Sequence, residues 1–125
     1  MRPESRSRGT RELRRRCRGP CGIKLPFRRF ALDGHHGACK SCERGADPRL
    51  ARQGHLVRDA REDAGLGLVE LALETGSTAP ELSRIENGKT WASLELLIAC
   101  IRTCIWARHR VMMDEIRARR GRRTT

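Results

Sequence analysis

Two pairs of cysteines near the N-terminus have the residue type and the spacing that could bind a metal ion. Three residues separate Cys17 from Cys21, two separate Cys39 from Cys42, and seventeen lie between the pairs. Each short spacing forms a turn that can aim two sulfur atoms at one point, and four thiolates can close a tetrahedron around zinc. The pattern predicts a structural Zn²⁺ site, and reduced free cysteines in a loop are the alternative.

Two histidines, His35 and His36, lie between the cysteine pairs and are close enough in sequence to replace one sulfur ligand. Four thiolates already satisfy zinc, however, and a site closed in this way leaves no coordination position for a reactive water. The sequence also has no His-Asn-His arrangement and no acidic cluster near these histidines that would bind magnesium. We therefore expect no catalytic residues and no enzyme activity.

Only a short segment, residues 17–46, is available to position the cysteines, so it cannot bury a large core. Structural zinc contributes roughly 10–16 kcal/mol of binding free energy, which exceeds what burial could supply in so short a segment. Phe27 and Phe30 provide a small apolar cover beneath the metal, and Gly22 relieves crowding beside Cys21. Residues 17–46 are predicted to form a zinc ribbon.

Charge is distributed unevenly along the chain, whose net charge is +12. Residues 1–53 carry 15 basic and 5 acidic groups, residues 54–100 carry 4 and 8, and residues 101–125 carry 8 and 2. Arginine is far more frequent than lysine at both ends, which favours phosphate binding over simple solvation. Residues 1–16 are expected to form a basic arm that is disordered when free.

Hydropathy favours a cytoplasmic protein without membrane contact. No apolar run approaches the ~20 residues that a bilayer requires, and the N-terminus has no hydrophobic segment typical of a secretory signal. Only 3% of the residues are aromatic and 34% are charged, so we expect a modest aliphatic core. In a reducing compartment, six cysteines favour metal binding or free thiols over disulfide bonds.

A helix is predicted to follow the ribbon. Asp47 fits its N-cap and Pro48 its first position. Its apolar face runs towards Gly65 through Leu50, Leu56, Val57, Ala60 and Ala64. Gly54 interrupts this pattern at a cost of about 1 kcal/mol. Either one bent helix or a hinge at Gln53–Gly54 therefore joins the ribbon to the rest of the chain.

Two shorter helical patterns follow in residues 66–91. The first ends at Gly76, because glycine enters the left-handed conformation at little cost. The second begins after an N-cap at Thr78, with Pro80 in its first turn and Glu81 in the position that completes a capping box. The predicted inward-facing residues are Val69, Leu71, Ala72 and Leu73 in the first helix, and Leu82 and Ile85 in the second. Two short helices joined by a glycine turn indicate a helix-turn-helix.

A longer helix is predicted to begin after its cap, Ser93, with an inward face of Leu94, Leu97, Ile98 and Ile101. Because neither glycine nor proline interrupts it before Gly121, helicity is expected to continue along a stripe of Ile105, Met112 and Ile116. This stripe either packs back on the first helix of the domain or pairs with a second copy in a homodimer.

Four residues of chemical interest are interpreted as structural. Cys100 and Cys104, one helical turn apart, are expected to be buried small apolar residues rather than metal ligands or redox sensors. His55 and His109 are interpreted as surface or packing residues.

The middle of the chain resembles a known family of DNA-binding proteins. Arg61-Glu62, Glu70-Leu71-Ala72, Gly76 and the run Ser83 to Gly88 stand at the spacings of the phage-repressor and Cro-like helix-turn-helix family, often called XRE-type. The resemblance covers residues 56–101 and implies a mainly α, lambda-repressor-like domain of four to five helices, within residues 47–103. Its third helix, Ala79 to Glu86, would lie in the major groove of double-stranded DNA.

The resemblance also implies roles for individual residues. Ser83 and Arg84 would contact base edges, with Arg84 able to bind guanine O6 and N7. The other implied DNA contacts are Thr78, Asn87, Lys89 and Thr90. Glu70 and Ala72 would be packing positions. Ala79 and Pro80 stand where relatives often carry glutamine or serine, and neither side chain can hydrogen-bond to a base.

The cysteine segment resembles the short treble-cleft-like zinc ribbons of phage proteins and of some HNH-type nucleases. The matching residues are Cys21-Gly22, Lys24, Pro26, Phe30, Gly34 and Cys39-Lys40-Ser41-Cys42. The first cysteine spacing is one residue longer than in those ribbons.

Three functions are compatible with these features. The first is a bacterial or phage transcriptional regulator that binds DNA through the helix-turn-helix, with a zinc ribbon in front and an amphipathic helix and arginine-rich tail at 104–125. The second is an adaptor that binds a protein through an acidic helix-turn-helix and binds nucleic acid without sequence preference. The third, a nuclease-associated protein, has only the resemblance of the ribbon in its favour.

Overall fold

The computed structural model describes residues 13–30 and 37–124 of the chain. Two short strands, β1 (Arg14–Arg16) and β2 (Lys24–Pro26), are followed by a 3₁₀ turn at Phe27–Arg29. The helices are α1 (Lys40–Glu43), α2 (Pro48–Asp63), α3 (Leu68–Thr75), α4 (Ala79–Glu86) and α5 (Leu94–Thr124). The mainly helical fold predicted from the sequence, with a small ribbon in front, is confirmed. Residues 1–12 of the predicted arm, Gly34, His35 and His36 lie outside the described residues.

The ribbon begins earlier than the sequence predicted. β1 and β2 pair antiparallel, with Arg15 opposite Leu25. The predicted disordered arm included Arg14–Arg16, and for these three residues the prediction was wrong. Their backbone is paired with β2, while the Arg16 guanidinium donates to the Gly22 carbonyl at 2.7 Å. The Arg15 guanidinium also lies 4.3 Å from the centre of the Phe30 ring, a cation–π contact.

Helix α2 is one continuous helix and packs against both parts of the structure. The Asp47 carboxylate accepts a hydrogen bond from the Arg49 amide at 2.8 Å, and Pro48 occupies the first position, as predicted. Ala51 belongs to the buried cluster of the ribbon. Val57 belongs to the second buried cluster, which includes Leu71, Leu82 and Ile85. Helix α2 therefore contributes residues to both buried clusters. Leu56, which was predicted to face inward, is exposed, so that assignment was wrong.

The pair α3 and α4 has the predicted ends but a narrower apolar face. Gly76 is left-handed with φ 75°, and the Thr78 hydroxyl accepts from the Glu81 amide at 3.2 Å. Val69 and Leu73, predicted to face inward, are 62% and 77% exposed. Helices of eight residues have room for only a narrow buried stripe, which Leu71 and Ala72 fill in α3.

Glu70 caps α3 instead of packing against it. Its carboxylate accepts a hydrogen bond from the Gly67 amide at 2.8 Å, and its side chain is otherwise exposed. The packing role implied for Glu70 was therefore wrong. An acidic group in the first turn satisfies a free amide and complements the helix dipole.

Helix α5 continues without a break for 31 residues, as the absence of proline predicted. The hydroxyl of Ser93 accepts from the Leu96 amide at 3.1 Å and so caps the helix. Its buried stripe runs through Cys100, Cys104 and Ala107, so the interpretation of both thiols as core residues is confirmed. Leu94 and Ile98 were assigned to the inward face and are instead exposed.

The second stripe of α5 is largely uncovered. Ile105 is 60% exposed and Met112 is 50% exposed, whereas Ile116 is partly buried. Packing of Ile105 and Met112 back on the first helix is therefore not observed. None of the helices in the described part of the chain is apolar over a length that could cross a lipid bilayer.

Gly54 allows α2 to approach the end of α4 backbone to backbone. A Cβ atom at this position would lie 2.4 Å from the carbonyl oxygen of Glu86 and 2.6 Å from that of Ile85. Helical glycine is unfavourable by about 1 kcal/mol, but any larger residue would push the two helices apart. Gly54 is thus a contact position rather than the hinge that the sequence left open.

We predict that Gly54→Ala lowers the free energy of unfolding by about 3 kcal/mol, because the new methyl group meets rigid backbone carbonyls. Urea unfolding followed by circular dichroism would measure the loss. Gly121→Ala is the matched control, since a Cβ atom on that helical glycine meets nothing within 4 Å. The control should leave stability unchanged or raise it by up to about 1 kcal/mol. Equal stability of Gly54→Ala and wild type would contradict the close-contact role.

Candidate metal centre and nucleic-acid interface

The four N-terminal cysteines converge on one point. Their Sγ atoms all lie within 4.8 Å of one another, and those of Cys21 and Cys39 are 3.9 Å apart. Tetrahedral zinc with Zn–S bonds of about 2.3 Å requires sulfur–sulfur distances of about 3.8 Å. Cys17, Cys21 and Cys39 are buried, whereas Cys42 is half-buried. The predicted ligand set is therefore assembled, and this cluster could hold a metal ion.

Backbone amides point at the sulfur of Cys17. The N–H groups of Gly19 and Cys39 both lie 3.2 Å from its Sγ atom. Burial raises the pKa of the Cys17 thiol. The hydrogen bonds from the Cys39 and Gly19 amides lower it by more than burial raises it, so the pKa of Cys17 lies below its ordinary value. Donors of this kind stabilise a thiolate, which is the form that binds metal.

The other buried thiols need a cation to ionise. Burial raises the pKa of the Cys21 thiol to about 11, and burial also raises the pKa of Cys39. Four adjacent thiolates would repel one another in this apolar surrounding unless a positive charge lay between them. A divalent ion supplies that charge, and a thiol that coordinates such an ion is deprotonated outright.

The longer first spacing is accommodated by Gly19. A Cβ atom on this residue would lie 2.7 Å from Cβ and 3.1 Å from Sγ of Cys42, so the turn passes directly over the other cysteine pair. Gly22, after the second cysteine, has a φ of 65°, which glycine adopts without strain. Gly19 and Gly22 thus allow Cys17 and Cys21, four positions apart, to lie on the same side of the cluster.

His55 lies beside the metal centre, where the sequence did not place it. Its side chain is 4% exposed, and its Nε2 atom is 3.4 Å from Sγ of Cys39. Burial and the nearby Arg29 guanidinium lower the pKa of His55 to about 4, so the ring is neutral near pH 7. The interpretation as an ordinary packing residue missed this contact. Its place one helical turn after Ala51, which faces the ribbon, was the only available indication.

A buried arginine joins the ribbon to α2. Arg29 is 2% exposed, and its Nη2 atom donates to carboxylate oxygens of Asp59 at 2.8 Å and of Glu62 at 3.1 Å. Glu62 also accepts from Arg58 at 3.1 Å and from Arg28. Burial raises the pKa of Glu62. The three arginines have the larger, opposite effect, so that the pKa falls to about 2. The pairs thus neutralise acidic groups of α2 with basic groups of the ribbon.

Most of the side chains predicted to contact DNA lie along α4 and the turn after it. Arg84, Lys89 and Thr78 are exposed, and Ser83 and Thr90 are half-buried. Leu82 and Ile85 point the opposite way, into the core. The sixth residue, Asn87, uses its amide group locally and donates to the Ser83 carbonyl at 2.8 Å.

A buried ion pair fixes the orientation of α4. Arg61 of α2 donates from Nε and Nη2 to the two carboxylate oxygens of Glu86, at 2.7 and 3.0 Å. Its remaining nitrogen, Nη1, donates to the Leu66 carbonyl at 2.9 Å. A bidentate arginine–carboxylate pair of this kind is geometrically specific, and the Arg61 guanidinium neutralises the negative charge of Glu86 at the end of α4. Because both carboxylate oxygens of Glu86 accept hydrogen bonds from Arg61, Glu86 is paired with Arg61 and not with the exposed Arg84.

The ribbon lies beside the C-terminal end of α4. The Ser41 hydroxyl and Nη2 of Arg44 both approach the Asn87 carbonyl at 3.4 Å. Gly88, with φ 73°, packs closely against Ala51 and Ala46. Ser41 of α1 and Arg44, which follows α1, are thus adjacent to the turn that carries Lys89.

Comparison with known families covers the centre of this arrangement. Residues 57–104 match the family model described as Helix-turn-helix. This segment is similar to that family, and its helices α3 and α4 form the two short helices joined by a turn. It includes the second half of α2, all of α3 and α4, and α5 as far as Cys104, which is less than half of the chain. No curated protein and no solved structure matches the chain.

The match covers the helix-turn-helix segment and excludes the cysteine ribbon and the C-terminal part of α5. The matched segment includes Ser83 and Arg84, which lie on its second short helix, α4. The four N-terminal cysteines and residues 105–124 of α5, more than five helical turns, lie outside the match.

We predict that Glu62→Gln lowers the free energy of unfolding by about 1–3 kcal/mol at pH 7, because it weakens pairing with three arginines. The pKa of Glu62 is lowered from 4.5 to about 2 in the folded state, so its contribution is complete above pH 4.5 and is lost as the pH falls towards 2. Urea unfolding of both proteins from pH 7 to pH 3 should show the difference shrinking only below pH 4.5.

The matched control is Glu74→Gln at an exposed position of α3, where stability should change by less than about 0.5 kcal/mol at every pH. Comparing each variant with wild type at the same pH cancels the contribution of the cysteines. A Glu62→Gln difference that stays constant down to pH 3 would contradict the lowered pKa.

Proposed function

We propose that this protein is a DNA-binding transcriptional regulator of the XRE type that acts in the cytoplasm and without catalysis. The observation that supports it best is the helix-turn-helix match over residues 57–104. Helix α4 presents an exposed Arg84 on its outer face, and Lys89 follows in the turn. Arginine can bind guanine bidentately in the major groove, and lysine is suited to phosphate.

The proposed interface has a narrow base-reading part and a broader phosphate-binding part. Ser83 and Arg84 contact base edges. Ala79 and Pro80, at the start of α4, offer no hydrogen-bonding side chain, so few base pairs are read directly. Thr78, Asn87, Lys89 and Thr90 bind phosphate or support the turn that does so.

The ribbon extends this interface. Arg44, which caps the C-terminus of α1, lies beside the Asn87 carbonyl, and Lys40 is exposed at the first position of α1. The Arg44 cation is therefore near the turn that carries Lys89. Phosphate contacts from the ribbon add affinity without sequence preference, and this part of the binding should weaken steeply with salt.

The ribbon itself is proposed to hold one structural Zn²⁺ ion through Cys17, Cys21, Cys39 and Cys42. The donor set and sulfur distances fit tetrahedral zinc, and all four protein ligands occupy its coordination sphere. When bound, zinc supplies the positive charge that holds the four thiolates together.

We predict that native mass spectrometry detects one Zn²⁺ per chain. Cys39→Ser should lower the zinc affinity, because it removes a thiolate ligand, whereas Cys100→Ala should leave the stoichiometry unchanged. Cys100 is the matched control, being equally buried but in the core of the helix-turn-helix domain. Retention of one tightly bound ion by Cys39→Ser would contradict the four-cysteine site.

The decisive experiment for DNA binding is a selection from random double-stranded DNA with zinc-loaded protein at near-physiological salt. Enrichment of a short motif supports the regulator. An inverted repeat in that motif indicates a homodimer, for which the exposed Ile105 and Met112 of α5 offer a contact surface. A single half-site, with a monomer in light scattering, contradicts the dimer.

We predict that Arg84→Ala weakens binding to the selected sequence by ~1–3 kcal/mol and relaxes the preference at one base pair. Arg102→Ala is the matched control, because this exposed arginine lies on α5, outside the α3–α4 pair. Equal weakening on all sequences would assign Arg84 to phosphate instead of base recognition.

An adaptor is the second candidate, and the exposed apolar residues of α3 favour it. Val69 and Leu73 are 62% and 77% exposed, and such side chains are suited to a protein partner. Binding of random DNA without any enrichment would support the adaptor. A nuclease-associated role is the weakest candidate, and failure to cleave DNA with magnesium or manganese would end it.

A further inference from the structure

His55 is held by hydrogen-bonding groups on both sides of its ring. Its Nδ1 atom lies 3.0 Å from Nη1 of Arg29, and its Nε2 atom lies 3.4 Å from Sγ of Cys39. A guanidinium group can only donate hydrogen bonds, so Nδ1 must accept. The single ring proton of neutral histidine is then on Nε2, which points at the sulfur.

Arg29 is held in turn by α2. Its second nitrogen, Nη2, donates to Asp59 and Glu62, which lie four and seven residues after His55. Spacings of four and seven place these three residues on one face of the helix. A continuous chain of contacts therefore runs from Cys39 through His55 and Arg29 to the two carboxylates.

We propose that His55 is a positioning residue of the metal centre, donating its Nε2–H to the Cys39 thiolate, and that Arg29 links metal occupancy to docking of the ribbon on α2. This inference depends on the proposed metal site but not on DNA binding. Groups that donate a hydrogen bond to a metal ligand fix its orientation and tune its charge, and their loss typically costs 10–100-fold in metal affinity.

The link has a consequence for the helix-turn-helix domain. The same helix, α2, carries Gly54 and Arg61, which contact the end of α4. A ribbon that docks only with metal bound would add the contacts from Ser41 and Arg44 to the Asn87 carbonyl. Because linkage is reciprocal, an intact α2 also raises the metal affinity of the ribbon.

The first test uses the wild-type protein, so that no variant has to fold. In cadmium-113-substituted protein, long-range proton–nitrogen spectra should show the His55 ring protonated at Nε2. Scalar coupling between cadmium and that proton should also be detected across the hydrogen bond. A ring protonated at Nδ1 would overturn the proposal.

The second test compares metal affinity among variants by competition with a chromogenic chelator. His55→Leu removes the donor, and its Zn²⁺ affinity should fall 10–100-fold. His55→Gln places an amide N–H near the same position and should stay within a few-fold of wild type. His109→Leu is the matched control on the exposed side of α5 and should equal wild type. Equal affinity of His55→Leu and wild type, or equal losses in His55→Leu and His55→Gln, would overturn the donor role.

Cobalt substitution separates a positioning residue from a ligand. Wild type and His55→Leu should both give the absorption spectrum of four sulfur ligands. A nitrogen ligand that is present in wild type and lost in His55→Leu would overturn the proposal by making His55 a ligand.

The role of Arg29 is tested by a double-mutant cycle. Arg29→Leu should lower Zn²⁺ affinity, and the loss should not add to that of His55→Leu, since both break one chain of contacts. Additive losses would overturn the link. A wild-type protein that binds no Zn²⁺ would refute the metal site itself, whereas variants that merely equal wild type would refute only the roles of His55 and Arg29.

Discussion

The direct backbone contact between α2 and α4 at Gly54 is the constraint on which the rest of the structure depends. Carbonyl oxygens of Ile85 and Glu86 occupy the space that any side chain at this position would need. The bidentate pair of Arg61 and Glu86 lies on the same two helices and fixes their relative rotation. Together these contacts hold the exposed face of α4 at a defined angle to α2, and an exposed Arg84 is useful for recognition only if that angle is rigid.

A neighbouring face of α2, with His55, Asp59 and Glu62, packs against the ribbon. The central segment carries eight acidic groups, yet three of them, Asp59, Glu62 and Glu86, are paired with arginines. Two of those three are neutralised by Arg29 of the ribbon. Arg28 and Arg29 of the ribbon therefore offset part of the acidic balance of residues 54–100. This lessens the electrostatic objection to DNA binding that the charge distribution raised.

The four-cysteine ribbon and the helix-turn-helix segment consequently pack against each other through α2. Cys39 contacts His55 of α2, and α1 contacts the Asn87 carbonyl at the end of α4. A ribbon in this position can contribute phosphate contacts next to Lys89, and it can also stabilise the helix that supports the interface. Both roles depend on how the ribbon packs against α2 and the end of α4.

The sequence by itself determined everything that depends on local chemistry. Helix ends at Asp47, Gly76 and Thr78 follow from side chains that satisfy nearby amides or tolerate a positive φ, and the cysteine spacing brings four sulfurs together. Only the tertiary structure decided which apolar side chains are buried, because short helices expose Val69 and Leu73 according to the neighbours they meet. It also gave Gly54 and His55 their roles, since each depends on a contact with residues at least sixteen positions away. Periodicity along one helix carries no information about such partners.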